Sequence, residues 1–273
     1  MNIEELRTKI DKIDSDILNL LNQRMDIVHE IGLLKSASNE SVYRPEREKE
    51  IIERLNELSQ GKLNVESIKA IFREVFAAAR NIELPEKISY LGPEGSFTHQ
   101  AAQSNFGSQG KYLPINSIKS VFDSVESKKT KYGIIPLENN QEGIVQETID
   151  LLGVSNLKII SELPLSISFS FATRAKDINK IKKIYSKDIA FKQCKEFIEN
   201  YFSSDVKCIP VNSTSAAVRY ADKQEDSAAI CSRFAAVQQG VPILYDKIED
   251  SKDNHTRFIV LSATENQTQS KND

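Results

Sequence analysis

The sequence predicts an all-α N-terminal domain of three helices, followed by an α/β domain that is divided into two lobes. From position 3 to about 84, apolar side chains recur at helical spacing. Beyond Pro85, short runs rich in β-branched residues alternate with helical segments, a pattern typical of α/β proteins. We therefore place the domains at 1–84 and 87–262 and a polar tail at 263–273.

The first helix carries an apolar stripe that runs along most of its length. Residues seven apart form the stripe in two series: Ile3, Ile10, Ile17, Arg24 and Ile31, and Leu6, Ile13, Leu20, Ile27 and Leu34. At about 1.5 Å per residue the helix is roughly 50 Å long, more than one small domain can cover. We therefore expect a second copy of the chain to cover the stripe, in a homodimer or a higher homo-oligomer.

Arg24 occupies a place in the stripe where packing alone would favour isoleucine. A charge there is costly unless a group of opposite charge meets it. A register device and a side chain that reaches out to solvent are the alternative interpretations. Lys35 projects from nearly the same side, whereas Arg7 lies roughly 25 Å away along the axis. In an antiparallel pair, Arg7 of one chain would reach Arg24 of the other, which predicts a shared cationic pocket for a small polyanion.

Composition excludes several classes of protein. Hydrophobic residues make up 40% of the chain and charged residues 27%, as in ordinary globular proteins. The net charge of −3 argues against a nucleic-acid or membrane surface, and no apolar run has the length of a membrane span or a signal peptide. The three cysteines lack metal-ligand spacing, which favours free thiols in the cytoplasm. The three histidines are scattered, so we expect no metal and no cofactor.

Four short motifs in the helical region resemble the all-helical chorismate mutases. They are Leu6-Arg7, Asn22-Gln23-Arg24, Gly32 followed by Lys35, and Tyr43-Arg44-Pro45-Glu46-Arg47-Glu48. The resemblance implies a domain-swapped helical dimer in which one arginine of each site comes from the other protomer. It also implies the residues that line the chorismate site: Arg7, Arg24, Lys35, Arg47 and Glu48.

The implied reaction explains these residue types. Conversion of chorismate to prephenate is an intramolecular rearrangement that needs no nucleophile, metal or proton relay. It is helped by holding two carboxylates in place and by stabilising charge on the breaking ether. Arginine suits the first task because its planar fork matches a carboxylate. The chain departs from the family at Ala79, where many members have a small hydroxyl residue, and at Glu83, where many have glutamine.

Three segments of the second domain place polar residues directly after a predicted strand. The strands are Ile88–Leu91, Tyr132–Leu137 and Val206–Val211, and glycine or hydroxyl residues follow each of them. A strand, a polar loop and a helix N-terminus together can hold an anion, although such a loop can also be only a tight turn. We expect lobe one at about 87–164 and 247–262 and lobe two at about 165–246, with a cleft between them. The alternating run from Leu165 to Phe171 is interpreted as one strand that crosses between the lobes.

Residues from 87 to about 262 resemble prephenate dehydratase. The motifs are Gly92-Pro93-Glu94-Gly95-Ser96-Phe97, Pro136-Leu137-Glu138-Asn139 with Glu142-Gly143, Tyr185-Ser186 with Gln193-Cys194, Ser213-Thr214, and Asn254-His255-Thr256-Arg257-Phe258. The resemblance implies the two-lobed fold of type II periplasmic binding proteins. It implies conversion of prephenate to phenylpyruvate with loss of carboxylate and hydroxyl. Lys187-Asp188 departs from the His-Pro that is often found in the family.

The same resemblance assigns the residues of the second site. Thr256 would aid departure of the hydroxyl. The substrate would be bound by Ser96, Asn139, Ser186, Gln193, Ser213, Thr214, Arg257 and Phe258. Because neighbouring strand residues face opposite ways, His255 should leave the cleft if Thr256 enters it. Arg257 is subject to the same alternation, which favours a structural role or a place at the rim.

Two functions remain open on these grounds. The first is a bifunctional enzyme of phenylalanine biosynthesis that acts on chorismate and prephenate. The alternative is a two-lobed small-anion sensor dimerised by its helices, which predicts an export signal or an effector domain. Related bifunctional enzymes continue into a regulatory ACT domain that senses phenylalanine. We expect this chain to lack that domain and therefore to escape inhibition by phenylalanine.

Glu83 generates a prediction about pH. A carboxyl group can donate a hydrogen bond to the ether oxygen of chorismate only when it is protonated, which requires a raised pKa. We therefore expect mutase activity to fall as the pH rises through the titration of Glu83. The measurement is the rate of chorismate loss from mildly acidic to alkaline pH, and a flat profile would refute the prediction.

Overall fold

The computed structural model describes residues 2–36, 44–83, 87–108, 110–202 and 205–263. The side chains at positions 35, 36 and 83 lie outside the described part, so nothing is said of the predicted site side chains Lys35 and Glu83. The chain divides into two compact units. The first holds the described residues up to position 83 with 104–108 and 110–111, and the second holds those of 87–103 and 112–263.

The first unit is built on three helices, as the sequence predicts. They are α1 (Ile3–Ser36), α2 (Pro45–Leu58) and α3 (Val65–Glu83). Pro45 stands at the start of α2, where its missing N–H costs nothing. The Asn64 side chain accepts a hydrogen bond of 2.9 Å from the Ser67 N–H and so caps α3. Both α1 and α2 pack against α3, which buries Ile68, Val75, Phe76 and Ala79.

Much of the apolar stripe of α1 stays exposed in the single chain. Ile10, Ile13, Ile17, Leu20 and Ile27 are between 49% and 63% exposed. The less exposed residues of α1 lie in its C-terminal half: Leu21, Arg24, Met25, Val28 and Gly32. Contiguous exposed apolar surface of this extent is typical of an interaction site.

The second unit is an α/β structure with two sheets, which confirms the predicted two-lobed class. The first sheet has the order β2-β1-β3-β11-β5, with β4 paired to β3, and the second has the order β10-β6-β9-β7-β8. The strands of the first sheet are β1 (Lys87–Leu91), β2 (Lys111–Ile115), β3 (Tyr132–Asn139), β4 (Gly143–Ile144), β5 (Lys158–Ser166) and β11 (His255–Ser262). Those of the second are β6 (Ser170–Thr173), β7 (Lys183–Ser186), β8 (Lys207–Pro210), β9 (Ser227–Cys231) and β10 (Ile243–Asp246).

Helices connect the strands of both sheets. Those next to the first sheet in the chain are α4 (Phe97–Phe106), α5 (Ile118–Glu126) and α6 (Gln146–Val154). Those within the second lobe are a 3₁₀ turn (Ile178–Lys180), α7 (Asp188–Gln193), α8 (Lys195–Tyr201), α9 (Thr214–Ala221) and α10 (Arg233–Gln238). No helix in the described ranges combines the length and the apolar character that a membrane span requires.

The chain passes between the two sheets at two places. The first passage lies between β5 and β6, where Ile167 donates a 2.7 Å backbone hydrogen bond to Asn254. The second lies between β10 and β11. The alternating run from Leu165 to Phe171 does cross between the lobes, as the sequence predicts. The prediction that it forms one strand is wrong, since β5 ends at Ser166 and β6 begins at Ser170. Its two ends belong to different sheets, because the backbone turns from one lobe into the other within it.

Gly133 of β3 lies where α5 packs tightly against the first sheet. A Cβ added there would lie 2.8 Å from Val121 Cγ1 and 2.8 Å from Val125 Cγ2, both on α5. The absence of a side chain therefore lets α5 pack directly on the centre of the sheet.

Gly133→Ala should destabilise the second unit because α5 has to move away from β3. Overpacking of this kind costs about 1–3 kcal/mol in the free energy of unfolding, measurable by urea denaturation. Gly153→Ala is the matched control, since nothing lies within 4 Å of its added Cβ in α6. The control should be neutral or stabilising by about 1 kcal/mol or less. Equal stability of the two variants would contradict the packing argument.

Candidate active sites

The first unit contains a cavity of about 170 Å³ among its three helices. The cavity is lined by Arg24, Val28, Ile31, Arg44, Arg47, Glu48, Ile51, Phe76, Ala79 and Arg80. The cationic side chains in this lining outnumber the single carboxylate. A concave site with this balance of charge suits a small organic anion.

Arg24 presents an unsatisfied donor in this cavity. Its Nη1 is buried and has no hydrogen-bond partner among the described residues. The guanidinium carbon lies 5.7 Å from the centre of the Phe76 ring. Desolvation lowers the pKa of Arg24, and the nearby charge of Glu48 opposes that shift. An arginine nevertheless keeps its charge in proteins, so the free donor is available to an anionic ligand.

Glu48 is paired with Arg80 across α2 and α3. Arg80 Nη1 donates a short hydrogen bond to Glu48 Oε1, and both side chains are largely buried. Desolvation raises the pKa of Glu48 above its usual value, and the charges of Arg80 and Arg24 oppose this shift without cancelling it. The carboxylate is thus held in place by one guanidinium and lies within the field of another.

The predicted residues of the helical site are distributed as follows. Arg24, Arg47 and Glu48 line the cavity, and Arg47 also pairs with Glu50 at 2.9 Å. Arg7 does not line it in the single chain, but is exposed and pairs with Glu4 at 2.8 Å.

Sequence reasoning did not assign Arg44 and Arg80 to this site, although both line the cavity. Arg44 stands within the motif Tyr43-Arg44-Pro45-Glu46-Arg47-Glu48. Arg80 lies next to Ala79 on α3. The helical pattern of the sequence does not show that the Arg80 side chain faces the Glu48 carboxylate on α2.

The second unit contains a cavity of about 310 Å³ between its two lobes. The lining consists of Gly92, Pro93, Ser96, Phe97, Thr98, Pro136, Asn139, Glu142, Val145, Ile167, Phe169, Lys187, Ile189, Gln193, Asn212, Ser213, Thr214, Asn254, Thr256 and Phe258. Seven of the predicted residues are among them: Ser96, Asn139, Gln193, Ser213, Thr214, Thr256 and Phe258. They come from chain segments up to 162 positions apart, because the ends of strands from both sheets converge here.

Thr256 lies at one end of a chain of hydrogen-bonded amides. Its Oγ1 accepts a 2.8 Å hydrogen bond from Asn139 Nδ2, which also lies 2.9 Å from Asn254 Oδ1. Asn254 in turn donates to Gln193 Oε1 at 3.0 Å, and Gln193 donates to Gln141 Oε1 at 2.9 Å. Because the Thr256 oxygen already accepts a bond, its own proton is free to be donated into the cavity.

Two residues of the predicted substrate-binding set do not reach this cavity. Ser186 is fully buried, and its hydroxyl donates a 2.6 Å bond to the Ile230 carbonyl. Arg257 lies on the exposed face of β11, where its hydrogen bond to Glu138 raises its pKa. His255 also faces outward, with Nδ1 3.1 Å from Asp253. The alternation of β11 explains both, since Thr256 faces inward between them.

The loop from Gly92 to Ser96 is fixed by His99, a residue that the sequence analysis left without a role. Gly95 adopts a φ of +79°, and its N–H donates a 3.1 Å hydrogen bond to His99 Nδ1. The imidazole is stacked on Tyr90 with 4.6 Å between ring centres. Desolvation lowers the pKa of His99, which favours the neutral ring that can accept this bond.

The cavity of the second unit is nearly neutral. Of the described residues that line it, Lys187 and Glu142 carry the ionisable side chains. Lys187 precedes α7 and stands where the sequence departs from His-Pro. The remaining polar groups are amides and hydroxyls, which orient a ligand without adding charge.

Comparison with known families assigns both units. The chain matches the family described as Chorismate mutase type II over residues 6–84. It matches the family described as Prephenate dehydratase over residues 88–266.

Individual relatives agree with this division. The bifunctional chorismate mutase/prephenate dehydratase of Aquifex aeolicus is 38% identical over 264 residues, which cover 95% of this chain and 73% of that protein. The enzyme of the same name from Neisseria gonorrhoeae is 37% identical, and the match covers 93% of this chain and 70% of that protein.

Solved structures of prephenate dehydratases share the fold of the second unit. The enzyme of Arthrobacter aurescens, in complex with L-Phe, has a TM-score of 0.59 at 28% identity, with 64% of this chain and 60% of that chain covered. The enzyme of Staphylococcus aureus has a TM-score of 0.56 at 27% identity, and the match covers 65% of this chain and 67% of that chain. The chain therefore belongs to the family of bifunctional chorismate mutase/prephenate dehydratases.

Proposed function

We propose that the chain catalyses two successive reactions, chorismate to prephenate in the first unit and prephenate to phenylpyruvate in the second. Family membership and the presence of a separate cavity in each unit support this enzyme over the sensor. The three cysteines are free thiols, which supports a reducing compartment such as the cytoplasm.

The mutase proposal rests on the free donor of Arg24. A rearrangement within one molecule is accelerated when the reacting carbons are held together, and carboxylates are the handles that chorismate offers. Arg24 and Arg47 would bind those carboxylates, with Glu48 contacting the substrate from α2. Lys35 would line the same site, and Glu83 in its protonated form would donate to the ether oxygen, where negative charge develops.

We further propose that the mutase site is completed by a second copy of the chain. The exposed stripe of α1 supports this, since burial of large apolar side chains contributes about 1.5–3 kcal/mol each. Arg7 lies on the same helix, away from the cavity of its own chain. In an antiparallel helix pair it would reach the cavity of the partner and bring a further cation to the dianion.

The dehydratase proposal rests on the hydrogen bond from Asn139 to Thr256. In this reaction the ring carboxylate leaves as carbon dioxide, its electron pair forms the aromatic ring, and the hydroxyl is expelled and protonated to water. An aliphatic hydroxyl is a weak acid, so Thr256 would act by hydrogen bonding to the departing oxygen. Formation of the aromatic ring supplies the driving force, and the amide chain fixes the direction of the donor.

Mixed dimers test the shared mutase site. Arg7→Ala and Arg24→Ala should each abolish mutase activity in homodimers, because every site then lacks one arginine. After subunit exchange at equal amounts, half of the dimers contain one intact site, so activity should return to roughly a quarter of wild type. The measurement is chorismate loss together with the solution mass. A mixture no more active than its components, or a monomeric mass, would contradict the shared site.

Thr256→Ala tests the dehydratase assignment. Loss of the hydroxyl should lower the rate of phenylpyruvate formation about 100-fold or more, and chorismate loss should be unchanged. Thr256→Ser is the matched control, because it keeps a hydroxyl at the same position and should retain most of the activity. Retention of dehydratase turnover in Thr256→Ala would refute the role of Thr256.

A further inference from the structure

Glu48 lies in the field of two guanidinium groups but pairs with one of them. Arg80 donates directly to its carboxylate. The charge of Arg24 also acts on Glu48, yet Arg24 makes no hydrogen bond or ion pair with it among the described residues. The buried Nη1 of Arg24 is left free in the cavity as a result.

This division of partners has a direct consequence for ligand binding. A buried carboxylate that loses its cationic partner is strongly destabilised, and pairing with a second cation would lower its free energy. Arg24 is the other cation that acts on Glu48. If Glu48 turned to Arg24, the guanidinium would be occupied, and an incoming carboxylate would have to displace an internal anion.

Arg80 is anchored by contacts other than Glu48. Its Nη2 donates a 3.2 Å hydrogen bond to the Asn105 carbonyl, and its guanidinium carbon lies 5.5 Å from the centre of the Phe106 ring. The side chain is 9% exposed. Arg80 is therefore a fixed cation that can hold Glu48 in one orientation, which a mobile surface cation could not do.

We propose that Arg80 is a positioning residue for the mutase reaction, because its pairing with Glu48 keeps Arg24 free to bind a substrate carboxylate. The inference rests on the proposed mutase function of this cavity. It assigns to Arg80 no contact with the substrate, so its whole effect passes through Glu48.

A double-mutant cycle tests this route. The variants are Arg80→Gln, Glu48→Gln and the double variant, with KM and kcat measured from the loss of chorismate, which the dehydratase cannot consume. Arg80→Gln should raise KM roughly 10-fold to 100-fold, as expected for the loss of a charged hydrogen-bond donor to the substrate, and should change kcat less. In the Glu48→Gln background, removal of Arg80 should change KM less than about twofold, because no carboxylate remains to occupy Arg24.

Two further variants separate this effect from loss of structure. Arg80→Lys keeps a cation beside Glu48 but loses the fork that also reaches the Asn105 carbonyl, so it should raise KM clearly less than Arg80→Gln does. Arg73→Gln removes the same charge from an exposed position of α3 and should leave KM unchanged. Dehydratase activity and the Tm of each variant monitor folding. If Arg80→Gln does not fold, Arg80→Lys decides: a KM close to wild type supports the inference and a large increase overturns it.

Three results would overturn the inference. An unchanged KM in Arg80→Gln would mean that Glu48 stays away from Arg24 without help. Effects of Arg80→Gln and Glu48→Gln that multiply would mean that Arg80 acts on the substrate directly. A wild-type chain that does not consume chorismate would overturn the proposed mutase function and this inference with it, a result distinct from the first two.

Discussion

The separation of opposite charges inside the helical unit is the constraint on which its chemistry depends. A cavity rich in arginine and containing one carboxylate tends to neutralise itself internally, because each buried charge gains by finding a partner. Here the carboxylate of Glu48 is committed to Arg80, and Nη1 of Arg24 stays unpaired among the described residues. An unsatisfied buried donor costs free energy, and a carboxylate that accepted a hydrogen bond from it would remove that cost. The site is thus organised for an anion before the anion arrives.

The second unit is organised by hydrogen-bond direction instead of by charge. Asn139 donates to Thr256, and Asn254 links that amide to Gln193 on the other lobe. Each amide in such a chain restricts the rotation of the next, so the position of the Thr256 oxygen is fixed by neutral groups. His99 likewise fixes the loop at Gly95 without a charge, because its neutral ring accepts a hydrogen bond from the Gly95 N–H.

The sequence was sufficient for the elements and insufficient for contacts between distant side chains. The helical stripe of α1 and the strand alternation around Thr256 depend on local periodicity, and both are found. The crossing at Leu165 to Phe171 was predicted, but the break between β5 and β6 was not, because alternation continues across a turn of the backbone. Ser186 was placed in the cleft by its motif, yet its hydroxyl bonds to the carbonyl of Ile230. Arg80 was missed because its partner lies 32 positions away.

The two sites of one chain would recognise the same dianion, prephenate, with very different charge, and the chemistry explains why. In the rearrangement both carboxylates keep their charge. Cations that bind them therefore stabilise the transition state as well as the bound ground state. In the dehydration one carboxylate loses its charge as it becomes carbon dioxide. A cation placed beside it would stabilise the ground state more than the transition state and slow the step. A cleft lined mainly by neutral amides and hydroxyls, with Lys187 as the cation among its described lining residues, places little positive charge beside the carboxylate that is lost.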